Sequence, residues 1–135
     1  AVERKVPLDD YVATGSRMKA RVSADLLVTI FTPHSPLHDG AVVIRRDSII
    51  GAACILPLTQ HALNDRSLGT RHRAAMGIAD ETDALVIVVS EETAQIAMAE
   101  RGRLWRDVTP ASVRDRLSGT AADDGFDVAL PEAAV

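Results

Sequence analysis

The sequence has little cysteine and no excess of positive charge, and each shortage excludes some classes of protein. The one cysteine, Cys54, excludes an intrachain disulfide and indicates a reducing compartment. The 15 Lys and Arg are outnumbered by 19 Asp and Glu, for a formal net charge of −4. No overall positive field is therefore available to hold a long nucleic acid or an anionic membrane, so a phosphate site has to be local.

Aromatic residues are also few, and long apolar runs and the common ligand-binding motifs are missing. The four rings of 1 Trp, 1 Tyr and 2 Phe are too scattered to stack a single-stranded nucleic acid. No apolar stretch approaches the ~18 residues that cross a bilayer, and the start lacks a signal-peptide pattern, which predicts a soluble, cytoplasmic chain. Neither G-x-x-x-x-G-K-[ST] nor G-x-G-x-x-G occurs. No Cys pair or H-E-x-x-H arrangement predicts zinc, and His34 and His61 are interpreted as surface residues.

The pattern of what is present predicts a single α/β domain, with a central mixed β-sheet flanked by α-helices. At 47% hydrophobic content, 135 residues suffice for one core. Helices are predicted at 8–15, after a Ser23 cap up to Pro33, after a Thr70 cap, and after a Thr109 cap. Apolar runs predict strands at 41–44, 49–58, 84–90 and 95–104, with turns at 47–48 and 101–102. The domain is predicted to span residues 1–118, with a flexible tail at 119–135.

Two of these segments carry finer predictions about burial. In the second helix, Leu26, Leu27, Ile30 and Phe31 fall on one apolar face. The strand at 41–44 is apolar throughout, so both of its faces should be covered. Cys54 lies in an apolar run and is interpreted as a buried structural thiol.

Three polar loops adjoin the predicted buried strands. "LHDGA" (37–41) places His38 and Asp39 before Gly40, whose missing Cβ allows a ligand close to the backbone. "GTRHR" (69–73) sets two guanidiniums at a predicted helix start, where dipoles and forked donors favour phosphate. "SEET" (90–93) follows the most apolar strand with a hydroxyl and two carboxylates, which suit ribose, a metal or a base edge.

Each loop also has a purely structural interpretation. Asp and Gly before a strand occur for turn geometry alone, and Arg71 and Arg73 can pair with surface acids in a solvated turn. The third loop can be a simple hairpin turn. The proximity of all three loops to buried strands nevertheless predicts that one cleft collects them.

The motifs "PLHDGAVVI", "ACILPL", "LGTRHRAA" and "DALVIVVSEET", in this order, resemble the diadenylate cyclase domain, which makes cyclic di-AMP. The family's DGA and RHR motifs are here Asp39-Gly40-Ala41 and Arg71-His72-Arg73. The resemblance runs from about residue 8 to residue 117. "LDDYVATG" is similar to the membrane-anchored CdaA type, which implies a catalytic fragment of a parent on the cytoplasmic face of the membrane.

The resemblance implies that two ATP become cyclic di-AMP and two pyrophosphates in a face-to-face homodimer. A divalent cation, Mn²⁺ or Mg²⁺ with Co²⁺ as a further option, is implied as cofactor. The implied roles are metal binding for His38 and Asp39, catalysis for Asp39, Arg71 and His72, and nucleotide binding for Gly40, Ala41, Leu56, Thr70, Arg71, His72, Arg73, Ser90, Glu91 and Glu92.

One position departs from the CdaA type. Where these enzymes often have an aromatic residue that can lie against adenine, this chain has Ile55, and base stacking on an aromatic is worth roughly 1 to 3 kcal/mol. Two other functions remain open on the sequence: a catalytically silent sensor of ATP or a cyclic dinucleotide, and a metal-dependent phosphohydrolase.

Overall fold

The elements of the chain are taken from a computed structural model, which describes residues 1–59, 69–90 and 93–124, with side chains up to residue 118. Within these ranges four helices and six strands follow one another in chain order. They are α1 (Asp9–Val12), β1 (Ser16–Arg21), α2 (Ala24–Phe31), β2 (Ala41–Arg45), β3 (Ser48–Cys54), α3 (Thr70–Glu81), β4 (Val86–Val89), β5 (Ile96–Glu100), β6 (Arg103–Val108) and α4 (Pro110–Asp124).

The strands form two antiparallel sheets of three, in the orders β1-β3-β2 and β4-β5-β6. The segment before α1 joins them: Val2 bridges Ile44 of the first sheet in parallel and Leu85, just before β4, in antiparallel sense. The Val2 N–H donates to the Leu85 carbonyl at 2.7 Å, and the Glu3 N–H donates to the Ile44 carbonyl at 2.8 Å. The predicted α/β class is confirmed, whereas the named strands form two antiparallel sheets joined through one parallel bridge instead of the predicted central mixed sheet.

Buried ion pairs hold this joining segment in place. Arg4 Nη2 lies 2.5 Å from Glu100 Oε2, with only 6% and 8% of the two side chains exposed. Glu100 also meets Arg116 of α4 at 3.1 Å, while Arg45 Nε contacts Glu3 Oε1 at 2.6 Å. Removing one partner of the Arg4–Glu100 pair, in which both side chains are buried, costs about 3–5 kcal/mol, because it leaves a charge without compensation. The segment is thus fixed to both sheets and to α4.

Helices cover both faces of the sheets. On one side, α2 and α4 pack Leu27, Ile30 and Val113 into an apolar cluster with Ile44. On the other side, α1 and α3 pack into a second cluster that contains Val43. Successive β2 residues therefore enter opposite clusters, which confirms that both faces of this strand are buried.

Several local details differ from the sequence predictions. Strand β1 was not predicted, because "SRMKAR" alternates charge with little apolar content. The β2–β3 turn is Arg46-Asp47, with Ser48 already paired to Arg45 as part of β3. Gly69, not Thr70, caps α3, and Thr70 is its first helical residue.

Other details match the predictions or extend them. Ser23 Oγ accepts from the Leu26 N–H at 3.1 Å, and Thr109 Oγ1 accepts from the Ser112 N–H at 3.1 Å, which confirms both caps. The α1 helix ends at Val12, earlier than predicted, and α4 continues to Asp124, into the segment expected to be a tail. None of the helices in the described ranges is long and apolar enough to span a bilayer.

Candidate active site

A cavity of about 860 Å³ lies where β2, the end of β3 and β4 meet α2 and α3. Its lining is mostly apolar, with polar side chains from two separate loops. Six of the residues predicted from the sequence are brought together in this lining: Asp39, Gly40, Ala41, Leu56, Thr70 and Arg71. The predicted common cleft for the first two loops is therefore present.

The loop before β2 requires glycine at position 40. Gly40 has a φ of +107°, a region that residues with a side chain rarely adopt. A Cβ there would also lie 2.8 Å from the Ala53 carbonyl carbon and the Cys54 carbonyl oxygen. The loop consequently packs directly on the end of β3, which leaves the Asp39 side chain 89% exposed at the cavity.

His38 lies beside this carboxylate without lining the cavity. Its Nδ1 is 2.8 Å from the Ser35 carbonyl oxygen, an acceptor only, so the proton of a neutral ring belongs on Nδ1. The Nε2 lone pair then faces Asp39 Oδ1 at 3.3 Å. Two acceptors at this separation are stabilised by a proton or a cation between them.

The start of α3 supplies the second polar part of the lining. Thr70 and Arg71 line the cavity, and the first turn contains no acidic residue. The first-turn N–H groups of an α-helix have no intrahelical acceptor, so this end of the helix favours anions. His72 and Arg73 do not line the cavity, although the Arg73 carbonyl accepts from the Thr59 N–H at 3.0 Å and ties α3 to the chain after β3.

A glycine inside α3 brings the helix against the segment that follows β3. A Cβ on Gly77 would overlap the carbonyl oxygen of Pro57, so only glycine allows this approach. The contact places Thr70 and Arg71 at a fixed distance from Leu56. The sequence signal for it is a glycine in the middle of a helical pattern, where it costs about 1 kcal/mol relative to alanine unless packing requires it.

The third predicted loop is only partly described. The Ser90 N–H donates to the Gln95 carbonyl at 2.9 Å, and Ser90 Oγ accepts from the Thr93 N–H at 3.3 Å. Ser90 itself does not line the cavity, but Val89 before it does. Glu91 and Glu92 lie outside the described residues, as does His61, while His34 is exposed as predicted.

Residues that were not predicted as site residues also lie in or beside the cavity. Phe31, on the predicted apolar face of α2, is 44% exposed and lines the cavity with Leu27, because α2 turns this part of its apolar face to the opening. Cys54 is buried, as predicted, and burial raises the pKa of its thiol. Thr14, distant in sequence, contacts the backbone beside Leu56.

The described residues hold no group of three or more His, Cys, Asp and Glu side chains placed to enclose a cation. The His38 and Asp39 pair offers one imidazole nitrogen and one carboxylate, and the carboxylate suits Mn²⁺ and Mg²⁺. A cation here would therefore need further oxygen ligands from a bound substrate, as Mg²⁺ commonly does with phosphates.

Comparison with known proteins decides the family. The family model described as "DisA bacterial checkpoint controller nucleotide-binding" (DAC) matches residues 1–104. The chain belongs to the DAC family. This DAC chain is 46% identical over 116 residues to the cyclic di-AMP synthase CdaA of Bacillus subtilis, covering 86% of this chain and 42% of that protein.

Two further relatives agree with this assignment. The diadenylate cyclase of Listeria monocytogenes is 49% identical over 109 residues, which are 81% of this DAC chain and 40% of that protein. A crystal structure of a Staphylococcus aureus DacA double mutant superposes with a TM-score of 0.85 at 41% identity, covering 88% of this chain and 79% of that one. The chain spans about two fifths of the length of the two curated relatives.

Proposed function

We propose that this DAC domain is a diadenylate cyclase, which condenses two ATP molecules into cyclic di-AMP and two pyrophosphates. The observation that carries the proposal is the placement of Asp39, from the loop before β2, and Arg71, from the first turn of α3, on one cavity together with Leu56. A carboxylate for the nucleophile and a guanidinium for phosphate are the two groups that this reaction needs from the protein. The names of the relatives support the same reaction.

The proposed ATP pose follows the lining of the cavity. The base lies against Leu56 and its backbone, beside Ile55. The phosphates lie at the start of α3, where Thr70 and Arg71 and the helix dipole balance their charge. His72, Arg73 and Ser90 do not line the cavity, and Glu91 and Glu92 lie outside the described residues, so the nucleotide-binding roles of these five rest on the family resemblance alone. Gly40 and Ala41 lie under the sugar, since Gly40 lets the nucleotide approach the backbone.

The chemical step is a pair of reciprocal displacements. Each ribose 3′-oxygen forms a bond to the α-phosphorus of the other ATP, and the bond from that phosphorus to pyrophosphate breaks. Asp39 orients the hydroxyl and takes up its proton, while Arg71 and His72 stabilise the charge on the phosphoryl oxygens. With 89% of its side chain exposed, Asp39 is accessible to a second nucleotide held by a partner copy in a face-to-face homodimer.

A divalent cation fits the donors beside this step. His38 Nε2 and an Asp39 oxygen would hold Mn²⁺ or Mg²⁺, with Co²⁺ as a further candidate, together with oxygens of the substrate. Such a cation neutralises charge on the phosphates. His38 is kept in the metal-binding tautomer by its hydrogen bond to Ser35.

The test is incubation with ATP and Mn²⁺ followed by chromatography of the products. The parent should yield cyclic di-AMP, and Asp39→Asn should lower the rate at least about 100-fold while it retains ATP binding, because the shape is kept and the charge is lost. Asp115→Asn is the matched control: it makes the same change on the exposed side of α4 and should leave the rate unchanged. ATP binding without product would instead identify a sensor, and ADP or AMP a phosphohydrolase.

A further inference from the structure

The segment after β3 leaves the sheet through a strained residue. Ala53 has a φ of +54°, and it lies in a bulge where β3 has one more residue than β2, between the Ala41–Cys54 and Val43–Gly51 pairs. A bulge of this kind bends the strand and redirects the chain, and such bulges are common beside active sites. After it, Ile55 and Leu56 run along the cavity outside any helix or strand.

The side-chain hydroxyl of Thr14 binds the backbone of this redirected segment. The Ile55 N–H donates to Thr14 Oγ1 at 2.8 Å, and the Thr14 hydroxyl donates to the Tyr11 carbonyl at 2.6 Å. A hydroxyl has one proton, so the 3.5 Å approach of Thr14 Oγ1 to the Ile55 carbonyl is the lesser contact. The hydroxyl thereby connects the last turn of α1 to the first peptide after β3.

Tyr11, whose carbonyl accepts from the Thr14 hydroxyl, is itself bonded to α3. The Tyr11 hydroxyl donates to Glu81 Oε2, at the end of α3, at 2.5 Å. Next to Thr14, a Cβ on Gly15 would overlap the Ala52 carbonyl, so the backbone here lies directly against β3. Thr14 is consequently supported by both the sheet and the helix that carries Thr70 and Arg71.

The next polar backbone groups are the N–H and the carbonyl of Leu56, which lines the cavity. No hydrogen bond joins the Leu56 N–H or carbonyl to another of the described residues. With the Ile55 N–H bonded to Thr14, the direction of the next peptide is set, and the donor and the acceptor of one residue, Leu56, are held together. A fixed donor and acceptor pair can distinguish the edge of one purine from another, because adenine and hypoxanthine exchange donor and acceptor positions there.

We infer that Thr14 is a positioning residue for base selectivity: its hydroxyl orients the Ile55–Leu56 backbone that reads the adenine edge. The inference rests on the proposed function, since it assumes that the base lies at Leu56. It assigns Thr14 no contact with the reacting atoms. Removal of the hydroxyl should therefore change which base is preferred and leave phosphate binding as it was.

The experiment compares the parent with Thr14→Val, which keeps the shape without the hydroxyl, and with Thr14→Ser, which keeps the hydroxyl. The probes are 3′-deoxy-ATP and 3′-deoxy-ITP, which cannot cyclise, and inorganic triphosphate, with dissociation constants measured by calorimetry. We expect Thr14→Val to weaken 3′-deoxy-ATP about tenfold, to leave 3′-deoxy-ITP and triphosphate unchanged, and Thr14→Ser to restore the preference.

The possible failures are distinguishable. If the parent binds 3′-deoxy-ATP no better than triphosphate and makes no cyclic di-AMP, the proposed function itself fails. If the parent is active but Thr14→Val keeps the full preference for adenine, or loses all three probes equally with a lowered melting temperature, the positioning role is overturned. Should Thr14→Val not fold, the inference still requires that Thr14→Ser has the parent's preference, and a lost preference in a folded Thr14→Ser would contradict it.

Discussion

At the scale of single residues, Tyr11 makes a pH-dependent contact that can be measured in isolation. Burial, followed by the hydrogen bond to Glu81 and the nearby negative charges, raises the pKa of Tyr11 to about 12 from an ordinary value near 10. The neutral phenol is thus favoured in the folded state. Its contribution to stability is complete below about pH 10 and is lost as the pH rises through about 12.

Because Tyr11 is the chain's one tyrosine, the ultraviolet absorbance of tyrosinate reports this group alone. We expect a midpoint of about 12 while circular dichroism shows the chain folded, and a midpoint near 10 in denaturant. Glu81→Gln should shift the folded midpoint down, since it removes the negative charge beside the phenol. An unshifted midpoint in the folded parent would exclude the contact between α1 and α3.

Sequence patterns identify residues of this site only where a motif is local. Asp39, Gly40 and Arg71 lie in short polar stretches beside apolar strands, and each was predicted and lines the cavity. Thr14 has no such signal, because its partner Ile55 is 41 residues away and a threonine before a glycine occurs in many loops. The departure at Ile55 is visible in sequence, but its 68% exposure at the cavity is a property of the fold.

At the scale of elements, the position of α3 rests on packing that opposes helix propensity. Alanine is favoured over glycine inside a helix by about 1 kcal/mol, so propensity alone predicts that Gly77→Ala stabilises the chain. The overlap of a Cβ with the Pro57 carbonyl predicts the opposite, because backbone has little room to move. We expect Gly77→Ala to lower stability by about 1–3 kcal/mol and to weaken ATP binding, since α3 would move away from Leu56.

Thermal unfolding and ATP titration check this expectation. Gly69→Ala is the control at the start of the same helix, where an added Cβ meets no atom within 4 Å, and it should cost no more than the change of cap. A melting temperature for Gly77→Ala at or above that of the parent would refute the packing argument.

Periodicity predicted the buried elements and failed at the exposed ones. Strands β2 and β3 are apolar on both faces, a pattern that local sequence makes plain. Strand β1 lies at the edge of its sheet with its charged residues exposed, so its sequence resembles a loop. The α3 cap was placed one residue late, since Thr70 is a good cap in general and Gly69 makes no side-chain bond.

At the scale of the whole molecule, the site depends on the segment before α1 that joins the two sheets. The loop with Asp39 belongs to the first sheet and β4, which also lines the cavity, to the second. Val2, Glu3 and Arg4 hold the two sheets together through strand bridges and ion pairs. The sequence does not reveal this joint, because the segment is short and mixed and its partners lie far along the chain.

The product sets a final requirement on assembly. A ring with two phosphodiester links needs two ATP molecules with opposed 3′-hydroxyls and α-phosphates, whereas the described residues of one chain supply one proposed set of phosphate-binding residues. Under the proposed function, a two-fold pairing of copies would bring two such sets together, with the loop that carries Asp39 and the start of α3 with Arg71 as part of the contact. We expect activity per chain to rise with protein concentration until the paired form dominates. Asp39→Asn chains added to the parent should lower its activity more than an equal amount of Asp115→Asn chains, because mixed pairs lack one of the two displacements. A constant activity per chain over a hundredfold dilution, with a monomer in sedimentation at those concentrations with ATP present, would rule out the face-to-face arrangement.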